Sequence, residues 1–224
     1  MSNSSLVSYT KISPNKTSPR THKIDTITIH CVVGQCSVET LGGIFAAPER
    51  KASCNYGIGK DGRIGMYVEE DDRSWCSSNT ANDNRAITIE VASDTTHPYA
   101  VNDKAYNALI NLLVDICKRN KIKQLLWMAD KSLVGQVDKQ NMTVHRWFAN
   151  KACPGDYLYN KHDEICELVN KRLKEYFNPL EEDLNYLVSK GIINSPDYWK
   201  SISPTVKNFD LFVHKITEYI RNKE

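Results

Sequence analysis

Residues 142–156 read Met142-Thr-Val-His-Arg-Trp-Phe-Ala-Asn-Lys-Ala-Cys-Pro-Gly-Asp156. His145 and Cys153 stand eight residues apart, with Lys151 between them and Pro154-Gly155 ending the run. A neutral imidazole and a thiolate are good zinc ligands, and a catalytic zinc takes three protein ligands and keeps one position open. The third ligand has to come from elsewhere in the chain. Its best source is Asp25-Thr-Ile-Thr-Ile-His30, which reads as a buried strand delivering His30 at its exit. Alone, His30 reads as a satisfied buried histidine and Cys153 as a small core residue. Together with His145 they predict a site for one Zn2+ per chain.

Working outward, Ser37 to Ala47 predicts a short helix with Ser37 as N-cap, stopped by Pro48. Asp61-Gly62 between two short apolar runs is a hairpin signal, because glycine tolerates positive φ. Ala86-Ile-Thr-Ile-Glu-Val-Ala92 predicts a strand with one carboxylate, Glu90, in an apolar run. Asn102 to Lys118 is the clearest amphipathic helix: Ala105, Leu109, Leu112, Leu113 and Ile116 recur at spacings of three and four. A second helix is expected over 161–177, ended by Asn178-Pro179. Leu125 to Met128 predicts a short strand. Ser77 to Arg85, small and polar with asparagines at 79, 82 and 84, predicts a loop.

Strands that alternate with helices but include a hairpin predict an α/β fold, a mixed central β-sheet flanked by helices. The expected division is a polar, Pro-interrupted N-terminal arm over 1–23, a catalytic domain over 24–178 and a small helical C-terminal module over 179–224. That last stretch is near the lower size limit for independent folding.

The chain has 224 residues, 41% of them hydrophobic and 25% charged, as in ordinary globular proteins. A net charge of +2 is too small to suggest nucleic acid as the main partner, and the expectation is no nucleic acid and no membrane. No apolar run approaches the ~18–20 residues of a membrane span. Residues 1–23 lack the apolar core of a secretory signal, so the expectation is cytoplasmic synthesis, with any export by another route. The seven cysteines form no Cys-x-x-Cys pair and read as free thiols of a reducing compartment, Cys153 apart. Oligomeric state is left open.

Strand-borne His30, Tyr56-Gly-Ile-Gly-Lys-Asp-Gly62, Trp75, Ile87-Thr-Ile-Glu90, His145-Arg146 and Lys151-Ala-Cys-Pro-Gly155 follow one another in this order. In this the chain resembles, over about residues 22–177, the type 2 N-acetylmuramoyl-L-alanine amidases, the family that also contains the peptidoglycan recognition proteins. The resemblance implies a zinc hydrolase that cuts the amide between the lactyl group of N-acetylmuramic acid and L-alanine in peptidoglycan. It maps the zinc ligands to His30, His145 and Cys153, and favours Glu90 as general base. The alternative for Glu90 is a structural ion pair with an arginine such as Arg85.

Lys151, two residues before Cys153, is the candidate for oxyanion stabilisation. Tyr56 aligns with a tyrosine that some members use near the metal, and equally reads as hairpin packing. Trp75, Asn79, Asn84 and Trp147 are candidates for lining a sugar or peptide groove, Trp147 being equally a core residue. The tail resembles, through Ser189-Lys-Gly-Ile-Ile-Asn-Ser-Pro-Asp-Tyr-Trp199, short helical appendages of clostridial-type and phage amidases. That implies wall attachment, against the alternative of a packing appendage. The expectation is a phage or prophage endolysin acting on the cell wall after release. Its rivals are a non-catalytic peptidoglycan-binding protein of the same fold and a zinc peptidase cutting another stem-peptide amide.

Overall fold

The computed structural model describes residues 3–177 and 180–223. The chain forms two compact units, Met1–Asn170 and Lys171–Glu224. The elements of the first stretch are β1 (Tyr9–Thr10), β2 (Lys16–Thr17), β3 (Thr26–Cys31), α1 (Val38–Ile44), β4 (Tyr56–Ile58), β5 (Ile64–Met66), β6 (Arg73–Ser74), α2 (Thr80–Arg85), β7 (Ala86–Val91), α3 (Asp103–Arg119), β8 (Met142–Thr143), α4 (Gly155–Asn160) and α5 (His162–Phe177). After them come α6 (Leu180–Ser189), α7 (Pro196–Ile202) and α8 (Phe209–Arg221).

Six strands form one mixed sheet in the order β1-β5-β4-β7-β3-β8. Only the β4–β5 hairpin is antiparallel. Its turn uses Gly62 at φ +84°, the left-handed conformation that an unbranched backbone reaches without strain. Strands β3 and β7 run parallel with Ile27 beside Ile87, Thr28 beside Thr88 and His30 beside Glu90. Because side chains alternate along a strand, this register sorts the two faces by chemistry. Ile27, Ile29, Ile87 and Ile89 share one fully buried apolar face. Helices α3 and α5 cover that side, with the Cys166 thiol of α5 against Met142 Sδ at 3.3 Å. The apolar stripe of α3, including Leu109, Leu112, Leu113 and Ile116, is fully buried.

The other face is polar and carries a dense set of hydrogen bonds. Thr28 Oγ1 meets Thr143 Oγ1 at 2.8 Å, Asn82 Nδ2 donates to Thr28 at 3.0 Å, and Thr143 donates to Asn82 Oδ1 at 2.8 Å. Ser74 and Asn55 close a second set on Thr88. His30 and Glu90 lie at the carboxyl end of this face, where open parallel sheets place their ligands.

Three local expectations are corrected. The N-terminal arm is not loose: β1 pairs with β5, β2 pairs with β6, and Arg20 is buried, donating to the carbonyls of Glu70, Asp72, Asn84 and Ala86. Residues 77–85 are not a plain loop. Asn79 accepts from Asn82 N and caps α2, the use that asparagine's short amide favours. Leu125 to Met128 forms no strand; β8 pairs with β3 instead. The backbone N–H groups of Leu125 and Leu126 go to the Asn170 and Asn141 side chains, so no ladder forms. Asn178-Pro179, expected to end α5, lie outside the described residues.

In the second unit, Leu180, Leu184, Leu187 and Val213 form the core, with Trp199, Phe209, Ile216 and Ile220 packed against it. Buried Asp183 takes the imidazole of His214 at 2.7 Å.

Candidate active site

Three separate pieces of chain converge at the carboxyl end of β3. His30 leaves the strand fully buried. His145 opens a short 3-10 turn, His145–Trp147, just after β8. Cys153 follows at the start of α4, its Sγ 3.3 Å from His30 Nδ1. The two imidazole rings lie edge to face, 5.1 Å between centroids. One donor atom from each of His30, His145 and Cys153 lies within 4.8 Å of the others. Ligand atoms around a tetrahedral zinc, at bond lengths of about 2.0–2.3 Å, stand about 3.3–3.8 Å apart, so these three need little adjustment to hold one.

The donor set fits zinc on chemical grounds as well. Burial and the neighbouring His145 hold the His30 imidazole down to about 3, and burial with the charge of Lys151 lowers His145. Both rings are therefore neutral and carry lone pairs at physiological pH. His145 Nε2 meets Ser78 Oγ at 3.0 Å, which fixes that ring's orientation. Cys31 and burial push the Cys153 thiol up in the metal-free protein, a preference that a bound divalent cation reverses. In a face where the polar groups otherwise find partners, His30 Nε2 and Glu90 Oε2 are buried without one. Unpartnered buried polar atoms are uncommon and point to a missing ligand or a catalytic use.

Glu90 sits beside His30 on β7, its Oε1 3.9 Å from the Cys76 thiol. Burial raises its carboxyl to about 7, against a smaller opposing pull from Arg50. A cleft of about 610 Å³ opens over this floor, lined by Glu90, His145, Lys151, Trp75, Asn79 and Arg50 among others.

The structure does not bring every candidate to this cleft. Tyr56 pairs with Ile89 and so points to the opposite face of the sheet from Glu90. There its hydroxyl donates to Glu70 Oε1 at 2.7 Å and accepts from Ser4 N, beside the Arg119 fork on the same carboxylate. Asn84 is outside the cleft, tied by both amide atoms to Thr21. Trp147 is buried and stacks on Trp127, centroids 5.1 Å apart and planes within 6°. Arg85 pairs with Asp25 and leaves Glu90 without that partner. His162 is buried and packs against Trp127. Sequence reasoning missed Ser78, Arg50 and Asp83. Asp83 is buried and accepts from the backbone N–H groups of Cys76 and Ser77, which shapes the cleft wall. None of the three stands in a motif, and only the folded loop brings them to the site.

A family model described as N-acetylmuramoyl-L-alanine amidase matches residues 20–156. The chain belongs to that family and is a peptidoglycan amidase. Solved structures share the fold. A selenomethionine derivative of AmpD superposes with a TM-score of 0.52 at 18% identity, over 73% of this chain and 96% of that one. The catalytic domain of XlyA does so with a TM-score of 0.50 at 15% identity, over 72% and 97%. No curated protein sequence matches the chain. Among the described residues no helix is long and apolar enough to cross a membrane.

Proposed function

We propose that the chain is a zinc-dependent N-acetylmuramoyl-L-alanine amidase that holds one Zn2+ through His30, His145 and Cys153 and hydrolyses the lactyl–L-Ala amide. The observation that carries this reading is the approach of those three donor atoms to within 4.8 Å, next to the unpartnered Glu90 oxygen. Zinc in such a three-ligand site polarises a carbonyl and lowers the pKa of a bound water to about 7. Glu90 takes a proton from the attacking water; its raised pKa makes it a base matched to neutral pH and able to return that proton. The proton then goes to the L-Ala amine as the C–N bond breaks. Lys151, on the cleft wall, faces the negative charge that develops on the former carbonyl oxygen. Trp75 and Asn79 offer a stacking plane and an amide to the muropeptide.

Residues 24–178 act as the catalytic domain and residues 179–224 as a helical module that positions it on the wall. The setting is that of a phage or prophage endolysin acting on peptidoglycan after release. The test is digestion of purified cell wall by the zinc-loaded chain. New amino groups without new reducing ends are expected, with one zinc per chain by atomic emission. Reducing ends without free amines, or a chain unable to take up metal, would refute the reading.

A further inference from the structure

The cleft is unusually basic for a chain of net charge +2. Arg50, Lys51, Arg73 and Lys151 all line it. Four arginines outside the cleft are ion-paired: Arg63 with Glu39, Arg85 with Asp25, Arg119 with Glu70, Arg146 with Asp156. Here the pairing stops. Asp83 is turned to backbone amides, and Glu90 lies at the floor. Among the described residues no carboxylate forms an ion pair with Arg50, Lys51 or Lys151. Arg73 donates to Thr17 Oγ1, and Lys151 belongs to the reacting carbonyl in the reading above. That leaves Arg50 and Lys51 without a task. They close a 3-10 turn begun by Pro48, and Lys51 holds a left-handed φ of +49°, a conformation that costs a non-glycine residue about 1 kcal/mol or more. A turn kept in that state fixes two cations at the cleft rim.

Unpaired cations beside a buried floor call for an anionic ligand. The substrate offers one close by. The carboxyl of L-alanine is used in the next amide. The first free carboxylate along the stem peptide is therefore the α-carboxylate of the second residue, an iso-linked glutamate. Two extended residues span about 7 Å, and Arg50 lines the same cleft as Glu90, His145 and Lys151.

We propose that Arg50, supported by Lys51, determines specificity by gripping that carboxylate, so that the enzyme selects stem peptides with a free acid at the second residue over those amidated there. The planar guanidinium matches a carboxylate through two parallel hydrogen bonds and gains much less from a neutral amide. This rests on the reaction assigned above.

The test compares two synthetic muramyl tripeptides that differ only in D-isoglutamate or D-isoglutamine at the second residue, cleaved by the zinc-loaded full chain. The wild type is expected to favour the free acid about five- to tenfold in kcat/KM, mostly through KM, and less so in 0.5 M salt. Arg50→Gln should reduce that ratio below twofold, and Arg50→Lys should leave an intermediate one. Equal wild-type rates on the two tripeptides, or an Arg50→Gln loss that falls equally on both, would overturn the assignment. Failure to release an L-Ala amine from either would strike the reaction itself, a distinct result.

Discussion

Glu90 carries opposite signs for activity and stability. With its carboxyl raised to about 7 from an ordinary value of 4.5, the folded metal-free protein binds a proton more tightly than the unfolded chain does. Stability is therefore undiminished below about pH 4.5, falls through the window up to about 7, and carries the full penalty above it, on the order of 3 kcal/mol. Glu90→Gln removes the charge. The metal-free variant should melt higher than wild type at pH 8 and match it near pH 4, read by calorimetry at both pH values. The same change should lower kcat about 10²- to 10⁴-fold with zinc still bound. Ser78 makes a separable prediction, because it hydrogen-bonds a metal ligand without being one itself. Its bond to His145 Nε2 orients the ring. Ser78→Ala should weaken zinc binding about 10- to 100-fold, measured by competition with a chelator, while the melting point of the metal-free protein stays put. Tyr56 gives the converse case. Tyr56→Phe removes one bond from the buried Glu70 carboxylate and should cost about 1–3 kcal/mol in urea unfolding, with turnover on cell wall unchanged.

At the scale of elements, the polar face of the sheet ties scaffold to site. Asn82 of α2 joins β3 to β8 by bonding both Thr28 and Thr143, and those two strands lead to His30 and His145. Asn82→Ala leaves two buried hydroxyls short of a partner. It should cost about 1–3 kcal/mol by denaturant unfolding and lower zinc affinity as the two histidines lose their common support. Asn82 also marks the limit of reading by pattern. The buried strands, the hairpin turn, the cap of α1 at Ser37 and the stripe of α3 were legible, because alternation, a glycine at positive φ, a capping hydroxyl and a 3.6-residue period are local signals. The three clustered donors were legible only as a joint pattern. Residues 77–85 were misread because asparagine is common to loops and caps, and whether Asn79 ends a turn or begins a helix depends on Asn82 finding Thr28 across 54 positions. Tyr56 was left between a place near the metal and hairpin packing, because a motif fixes position along a strand, while the register against Ile89 fixes the face.

At the scale of the whole molecule, the second unit has an apolar surface that its own core does not use. Val213, Ile216 and Ile220 of α8 turn toward Leu184 and Leu187, whereas Leu211, Phe212 and Tyr219 are more than half exposed. Scattered exposed apolar residues need no explanation, but two aromatics and a leucine on one short helix, with the Lys223 ammonium 5.6 Å from the Tyr219 ring centroid, suit a stacking surface for sugar or peptide. Phe212→Ser with Tyr219→Ser should leave the melting point within about 1 °C, since neither side chain is in the core. Cleavage of a small soluble muropeptide should also be unchanged, because the catalytic cleft is built from residues of the first unit. Co-sedimentation with purified cell wall should fall several-fold, and turnover of intact wall with it. If sedimentation holds while both aromatics are gone, wall attachment through this face is wrong, and residues 179–224 serve the fold of their own unit alone.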